Sequence, residues 1–260
     1  MSDLKKGTAP KKPQRGAKHN DAATPQLGAK HNDAATPQRG VTSQNDNAAS
    51  QRGGASSHGG VKALTGKKRA LKGSVQLSPV PAVLVTCADG DVIDVVTVAW
   101  TGIVCTHPPM TYISLRPERY SYGIIEKTGE FVINLPPASL VRELDLCGMK
   151  SGRNLDKIDA CGLTLDPAVE VLSPLLREAP LSLECKVKQK LSLGSHDMFL
   201  AEIVSVDADE ALFNTEGRLC MEKAGLIAYA HGAYYTLGKK LGLFGFSTKK
   251  KKKRTVAKKR

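Results

Sequence analysis

The sequence predicts a mainly β domain, an antiparallel barrel with short helices, set between two polar tails. Three observations carry that prediction. The first is charge: residues 1–72 hold 14 Lys/Arg against 4 Asp and residues 248–260 hold 9 Lys/Arg and no acid, whereas residues 73–247 hold 15 Lys/Arg against 21 Asp/Glu. The tails therefore carry +10 and +9, and the middle of the chain carries −6 within a total of +13. The second is composition, because the first 72 residues are rich in Ala, Gly, Gln, Asn, Ser, Pro and Lys and too poor in apolar residues to offset the entropy of ordering. The third is grammar: from Val80 onward, short runs rich in β-branched residues alternate with turn signals, and helical periodicity only fills the gaps.

The elements follow in order. Residues 80–87 and 92–99 flank Asp89-Gly90, a dipeptide that supplies the positive φ of a tight hairpin, and are predicted as two antiparallel strands. Residues 111–115 and 131–135 are further strands. The segment between them, 117–127, opens on Pro117 and ends before Gly129, which predicts a short helix with proline in its first turn. Leu140, Val141 and Leu144 recur at helical spacing over 139–147, and that helix is expected to stop at Gly148. Residues 181–193 alternate Leu183, Cys185 and Val187 against Glu184, Lys186 and Lys188, and 198–206 follow after the 194–197 turn, which predicts a long hairpin with one buried face. The 175 residues between the tails suffice to bury roughly 70% of their unfolded surface, so neither a disulfide nor a metal is needed for stability.

Several functions are excluded at this stage. No apolar run reaches the ~18 residues of a membrane helix and no apolar secretory region opens the chain, so a soluble, cytoplasmic protein is expected. The six cysteines form no C-x-x-C pair and predict packed thiols, Cys147 among them because no partner lies near it in sequence. Residues 16–26 recur unchanged as 28–38, a polar twelve-residue period read as a duplication in an unconstrained tail. Five residues rather than four separate Gly60 from Gly66, so no P-loop is present. Ser195, His196 and Asp197 are consecutive and cannot converge as a hydrolytic triad.

One stretch is specific. HPPMTYISLRPERYSYGII at 107–125, with TVAWTG at 97–102 before it and GEFVIN at 129–134 after it, resembles the flavin reductase-like family of FMN-binding split β-barrels. The resemblance extends in order through CG at 147–148, SGRNLDK at 151–157, GLT at 162–164, SH at 195–196, AE at 201–202 and GAYYTLG at 232–238. It implies a homodimer with FMN near the subunit interface and hydride transfer from NADH or NADPH. It also leaves open a flavoredoxin-like electron carrier reduced by a partner protein, or a non-catalytic dimeric scaffold.

The same residues can be read chemically. Arg116 and Ser121 beside a helix start are the expected phosphate ligands, with Lys157 in support. Thr97, Val98, Ala99, Trp100 and Thr101 at a strand end offer an apolar platform and backbone groups for the isoalloxazine, though Trp100 equally suits the core. Asn134 either meets the flavin pyrimidine or caps a loop. The resemblance adds Ser114 and Tyr122 as cofactor contacts and places His196 and His231, the catalytic candidates, near the flavin or nicotinamide. The Lys-rich C-terminal tail predicts weak, salt-sensitive binding to polyanions.

Overall fold

The computed structural model describes residues 66–248. The predicted low-complexity tails, including the duplicated segment, lie outside the described residues except for 66–72, an exposed stretch without regular structure, and Thr248. The strands are β1 (Val80–Pro81), β2 (Val83–Asp89), β3 (Val92–Val98), β4 (Thr101–Cys105), β5 (Met110–Leu115), β6 (Glu130–Leu135), β7 (Leu165–Asp166), β8 (Leu175–Leu176), β9 (Leu181–Ser192), β10 (Asp197–Ala208), β11 (Ile227–Ala230) and β12 (Ala233–Thr236). Three short helices, α1 (Tyr120–Thr128), α2 (Val141–Met149) and α3 (Lys157–Cys161), join them. Seven strands form one antiparallel sheet in the order β3-β2-β6-β9-β10-β5-β4, with β1-β11-β12 as a second sheet and β7-β8 as a third. The mainly antiparallel split-barrel architecture is thus present, with β3 and β4 at the two edges of the long sheet and consecutive in the chain.

Burial explains the order. The strand β2 is buried on both faces. Val83, Val85 and Cys87 face one core with Ile113, Phe131 and Phe199, while Ala82 and Leu84 face a second with Leu144 and Cys147 of α2. Burial alternates along β5, with Thr111, Ile113 and Leu115 buried. The period of two then turns Tyr112 and Ser114 to the opposite face.

Two helix boundaries correct the sequence reading. Pro117 lies in a turn closed by the Arg119 N–H donating to the Arg116 carbonyl at 3.1 Å, and α1 begins only at Tyr120. Proline's fixed φ suits the second position of such a turn as well as it suits a helix start. Helix α2 runs through Gly148 to Met149. A Cβ on Gly148 would lie 3.2 Å from the Thr97 Cβ, so the glycine permits close packing of α2 on β3 rather than ending the helix.

Candidate functional site

A cleft of about 260 Å³ opens where the end of β3 meets β5 and α2. Thr97, Val98, Ala99, Trp100, Ser114, Arg116 and His196 all line it, so seven of the sequence-predicted site residues converge. β3 is an edge strand. Alternate N–H and C=O groups of an edge point away from the sheet, here along the border of the cleft. Trp100 is half-buried in the bend between β3 and β4, where its carbonyl accepts the Ser114 N–H at 2.9 Å. Thr97 donates through Oγ1 to the Leu144 carbonyl, which fixes α2 against the cleft wall.

Positive charge gathers at one end. Arg116 is exposed and pairs at 3.5 Å with the exposed Glu118, a contact weak enough to yield to a stronger anion. Arg119, which the sequence reading missed, also lines the cleft, and its Nη1 donates to the Gly148 carbonyl at 2.7 Å. Its signal was the Arg116-to-Arg119 turn, which brings two cations three residues apart to one end. An adjoining surface cleft shares Arg116, Arg119 and Met149 and adds Ser151, Arg153 and Asn154. Partial burial first, and then the charge of Arg116, push the His196 imidazole below its ordinary pKa. Ser195 Oγ lies 2.9 Å from His196 Nδ1.

The opposite wall was also unread. Tyr229 and Tyr234 are register partners across the β11–β12 hairpin, with ring centroids 5.6 Å apart, and both border the cleft. Tyr234 donates to Asp145 Oδ1 at 3.0 Å. Burial and then that hydrogen bond push the phenol up to about 12. The alternation around the Gly232 turn was the available signal.

The remaining predicted residues lie elsewhere, for visible reasons. Thr101 borders a neighbouring apolar cleft of about 340 Å³ with Val75, Leu77 and Tyr112. His231, at positive φ in the β11–β12 turn, faces a different depression with Ser78 and Trp100. Ser121 is buried and donates to Asp94 Oδ2, and Lys157 is buried in an ion pair with Asp94 at 3.0 Å. Tyr122 is buried and donates to Asp197 Oδ2 at 2.6 Å. Asn134 is fully saturated inside the fold. Its Nδ2 donates to the Leu84 carbonyl and Thr86 Oγ1, and its Oδ1 accepts from Leu176 N–H at 2.9 Å and Ser182 Oγ at 2.8 Å. These four side chains line the interior: β6 is covered on both faces, whereas α1 and α3 each keep an exposed side, with Glu126 and Lys127 or Asp159 and Ala160 on it, and turn Ser121, Tyr122 and Lys157 inward.

Comparison with known proteins shows which fold and family this chain shares. The family model described as "Flavin reductase like domain" matches residues 75–238. Flavoredoxin of Desulfovibrio vulgaris (Miyazaki F) is 32% identical with a TM-score of 0.66, and the match covers 70% of this chain and 100% of that one. Flavoredoxin of Methanosarcina acetivorans, 24% identical with a TM-score of 0.65 over 70% of this chain and 98% of its own, shows the same fold. An uncharacterized protein of Pyrococcus abyssi is 29% identical over 143 residues, 55% of this chain and 82% of its own length.

Proposed function

This chain belongs to the flavin reductase-like family, and from that premise we propose that the cleft binds FMN and that the protein is an oxidoreductase passing hydride from NADH or NADPH to the flavin. One observation carries the reading: a cationic end, Arg116 and Arg119, and an apolar strand edge, Thr97 to Trp100, share a single cleft. A flavin mononucleotide asks for that combination, a flat apolar ring with a polar rim joined to a phosphate. The residues present fit it.

Bound flavin supplies the two-electron chemistry, and the polypeptide supplies orientation and charge. Arg116 and Arg119 meet the phosphate, Arg119 with its guanidinium already anchored by the Gly148 carbonyl, so less side-chain freedom is lost on binding. Ser114 Oγ and the edge amides of β3 address the polar rim, and Trp100 with Met149 forms apolar wall. His196 lines the cleft, and partial burial with the charge of Arg116 lowers its pKa, which favours the neutral imidazole whose ring nitrogen is able to take up a proton. Exposed Val75 and Leu77, which share a cleft with Trp100, support a second copy of the chain there, in keeping with the homodimer the resemblance implies.

The test is anaerobic mixing of the FMN-loaded protein with NADH and separately with NADPH while following flavin absorbance. Bleaching with either nucleotide is expected. Flavin binding without bleaching by either would favour the carrier reading, which the 32% identity to a protein named flavoredoxin supports. Failure to bind flavin would reject both in favour of a scaffold.

A further inference from the structure

All six cysteines lie within the described residues and are free thiols. Two of them meet. Cys147 on α2 and Cys161, the last residue of α3, are 14 positions apart, and their Sγ atoms are 3.9 Å apart. Cys147 is the buried free thiol the sequence predicts, and helix packing, which sequence spacing did not show, also brings Cys161 to it. We propose that Cys147 and Cys161 form a reversible thiol–disulfide site, oxidised by peroxide and restored by small thiols. This inference is independent of the flavin reading.

The geometry assigns each sulfur a role. A disulfide needs Sγ–Sγ of about 2.05 Å, so the atoms must close by about 1.9 Å. Cys147 is fully buried on a helix held against β3 by Gly148 and Thr97. Cys161 is half-buried and ends a five-residue helix, followed by Gly162 at φ 61. Cys161 is therefore both the reachable sulfur and the one that moves. Its thiolate attacks one oxygen of hydrogen peroxide, the O–O bond breaks, and the departing hydroxide leaves as water once protonated, giving a sulfenic acid on Cys161. Cys147 Sγ then attacks that sulfur, the S–S bond forms, and the sulfenic hydroxyl leaves as water with the Cys147 proton. Two thiols lose two electrons and one peroxide gains them. Burial first, and then the neighbouring Cys161, push Cys147 up to about 12, and burial also raises Cys161. Because the thiolate is the nucleophile, oxidation should speed up about tenfold per pH unit across the neutral to mildly alkaline range. The new bond would tie α3 to the helix whose Gly148 carbonyl holds Arg119.

The full-length protein is reduced, desalted, treated with hydrogen peroxide at mildly alkaline pH, then unfolded and alkylated. Four alkylated cysteines are expected instead of six (6 − 2 = 4). Because Lys150, Arg153 and Lys157 lie between the two cysteines, a tryptic digest should then join the Cys147 peptide to the Cys161 peptide. Dithiothreitol should restore all six thiols. The variant Cys161→Ser, at the half-buried position, should fold and lose the link. Six alkylated cysteines after peroxide, a sulfinic acid on Cys161 with Cys147 still alkylated, or a link between other cysteines would each overturn the assignment.

Discussion

Single residues decide whether the cleft and the interior behind it exist. Arg116 is exposed and loosely paired, so removing it disturbs little of the fold. Arg116→Ala is expected to weaken FMN by about 1.5–3 kcal/mol, the worth of a charge-assisted hydrogen bond, with an unchanged melting temperature. Equilibrium dialysis beside a thermal melt checks both halves. Gly152 is the opposite case. A Cβ there would collide with the Asp94 carboxylate and sit 2.5 Å from Tyr120 Cδ1. Asp94 already holds Lys157 and Ser121, so it has little freedom to retreat. Gly152→Ala is expected to destabilise by ~1–3 kcal/mol, the range of an overpacked interior, read as a lower denaturation midpoint at constant slope.

At the scale of elements, legibility followed geometry. The β2–β3 hairpin, β5, β6 and the β9–β10 hairpin were readable because Asp89-Gly90 and short β-rich runs between turns act locally. The single buried face expected of the β9–β10 hairpin is not kept at the start of β9, where Ser182 and Glu184 are buried as well as Leu181 and Cys185. The strand β4 was not: Thr101–Cys105 leaves Ile103 and Val104 exposed at a sheet edge and has no alternation to read. The site split along the same line. Trp100, Arg116 and His196 sit at element ends, where position in sequence reports position in space. Asn134 lies on a strand covered on both faces and Lys157 at the start of a helix with an exposed side, and only their tertiary contacts, to Leu84, Thr86 and Asp94, reveal their inward aim. The contact between α2 and β3 is likewise tertiary. Thr97→Val keeps the β-branched shape and removes the hydroxyl that binds the Leu144 carbonyl. A loss of about 1 kcal/mol is expected, with faster amide exchange in α2 than in β9; uniform exchange would reject the local role.

The whole molecule responds to pH through an acidic pair, the buried Glu184 and the half-buried Asp207. Glu184 is fully buried. Burial opposes its ionisation, but the N–H groups of Val169, Glu170 and Val171, with the Asp207 carboxyl, outweigh that and hold it below its ordinary range. Burial and the neighbouring Glu184 raise Asp207 to about 6. A raised folded-state carboxyl stabilises the fold in its protonated form, so this contribution is complete below the ordinary carboxylate range and is lost as pH rises through about 6. It amounts to at most about 3 kcal/mol. Denaturant titrations from pH 4 to pH 7 should show this loss in the parent protein and not in Asp207→Asn. The tails bear on the whole molecule too. Since residues 73–247 carry −6, removing residues 1–72 and 248–260 should abolish retention on DNA at low salt and leave flavin affinity intact. Among the described residues no helix is long and apolar enough to cross a membrane.

The central claim is that the cleft between β3, β5 and α2 binds flavin, and the chain supplies its own reporter. Trp100 is its one tryptophan and borders the cleft. Titrating FMN into the protein while following tryptophan emission, corrected for absorption by free flavin, should give saturable quenching. The curve should shift to higher concentration in Arg116→Ala. Emission unchanged by FMN, or quenching identical in parent and variant, would contradict the assignment of this cleft.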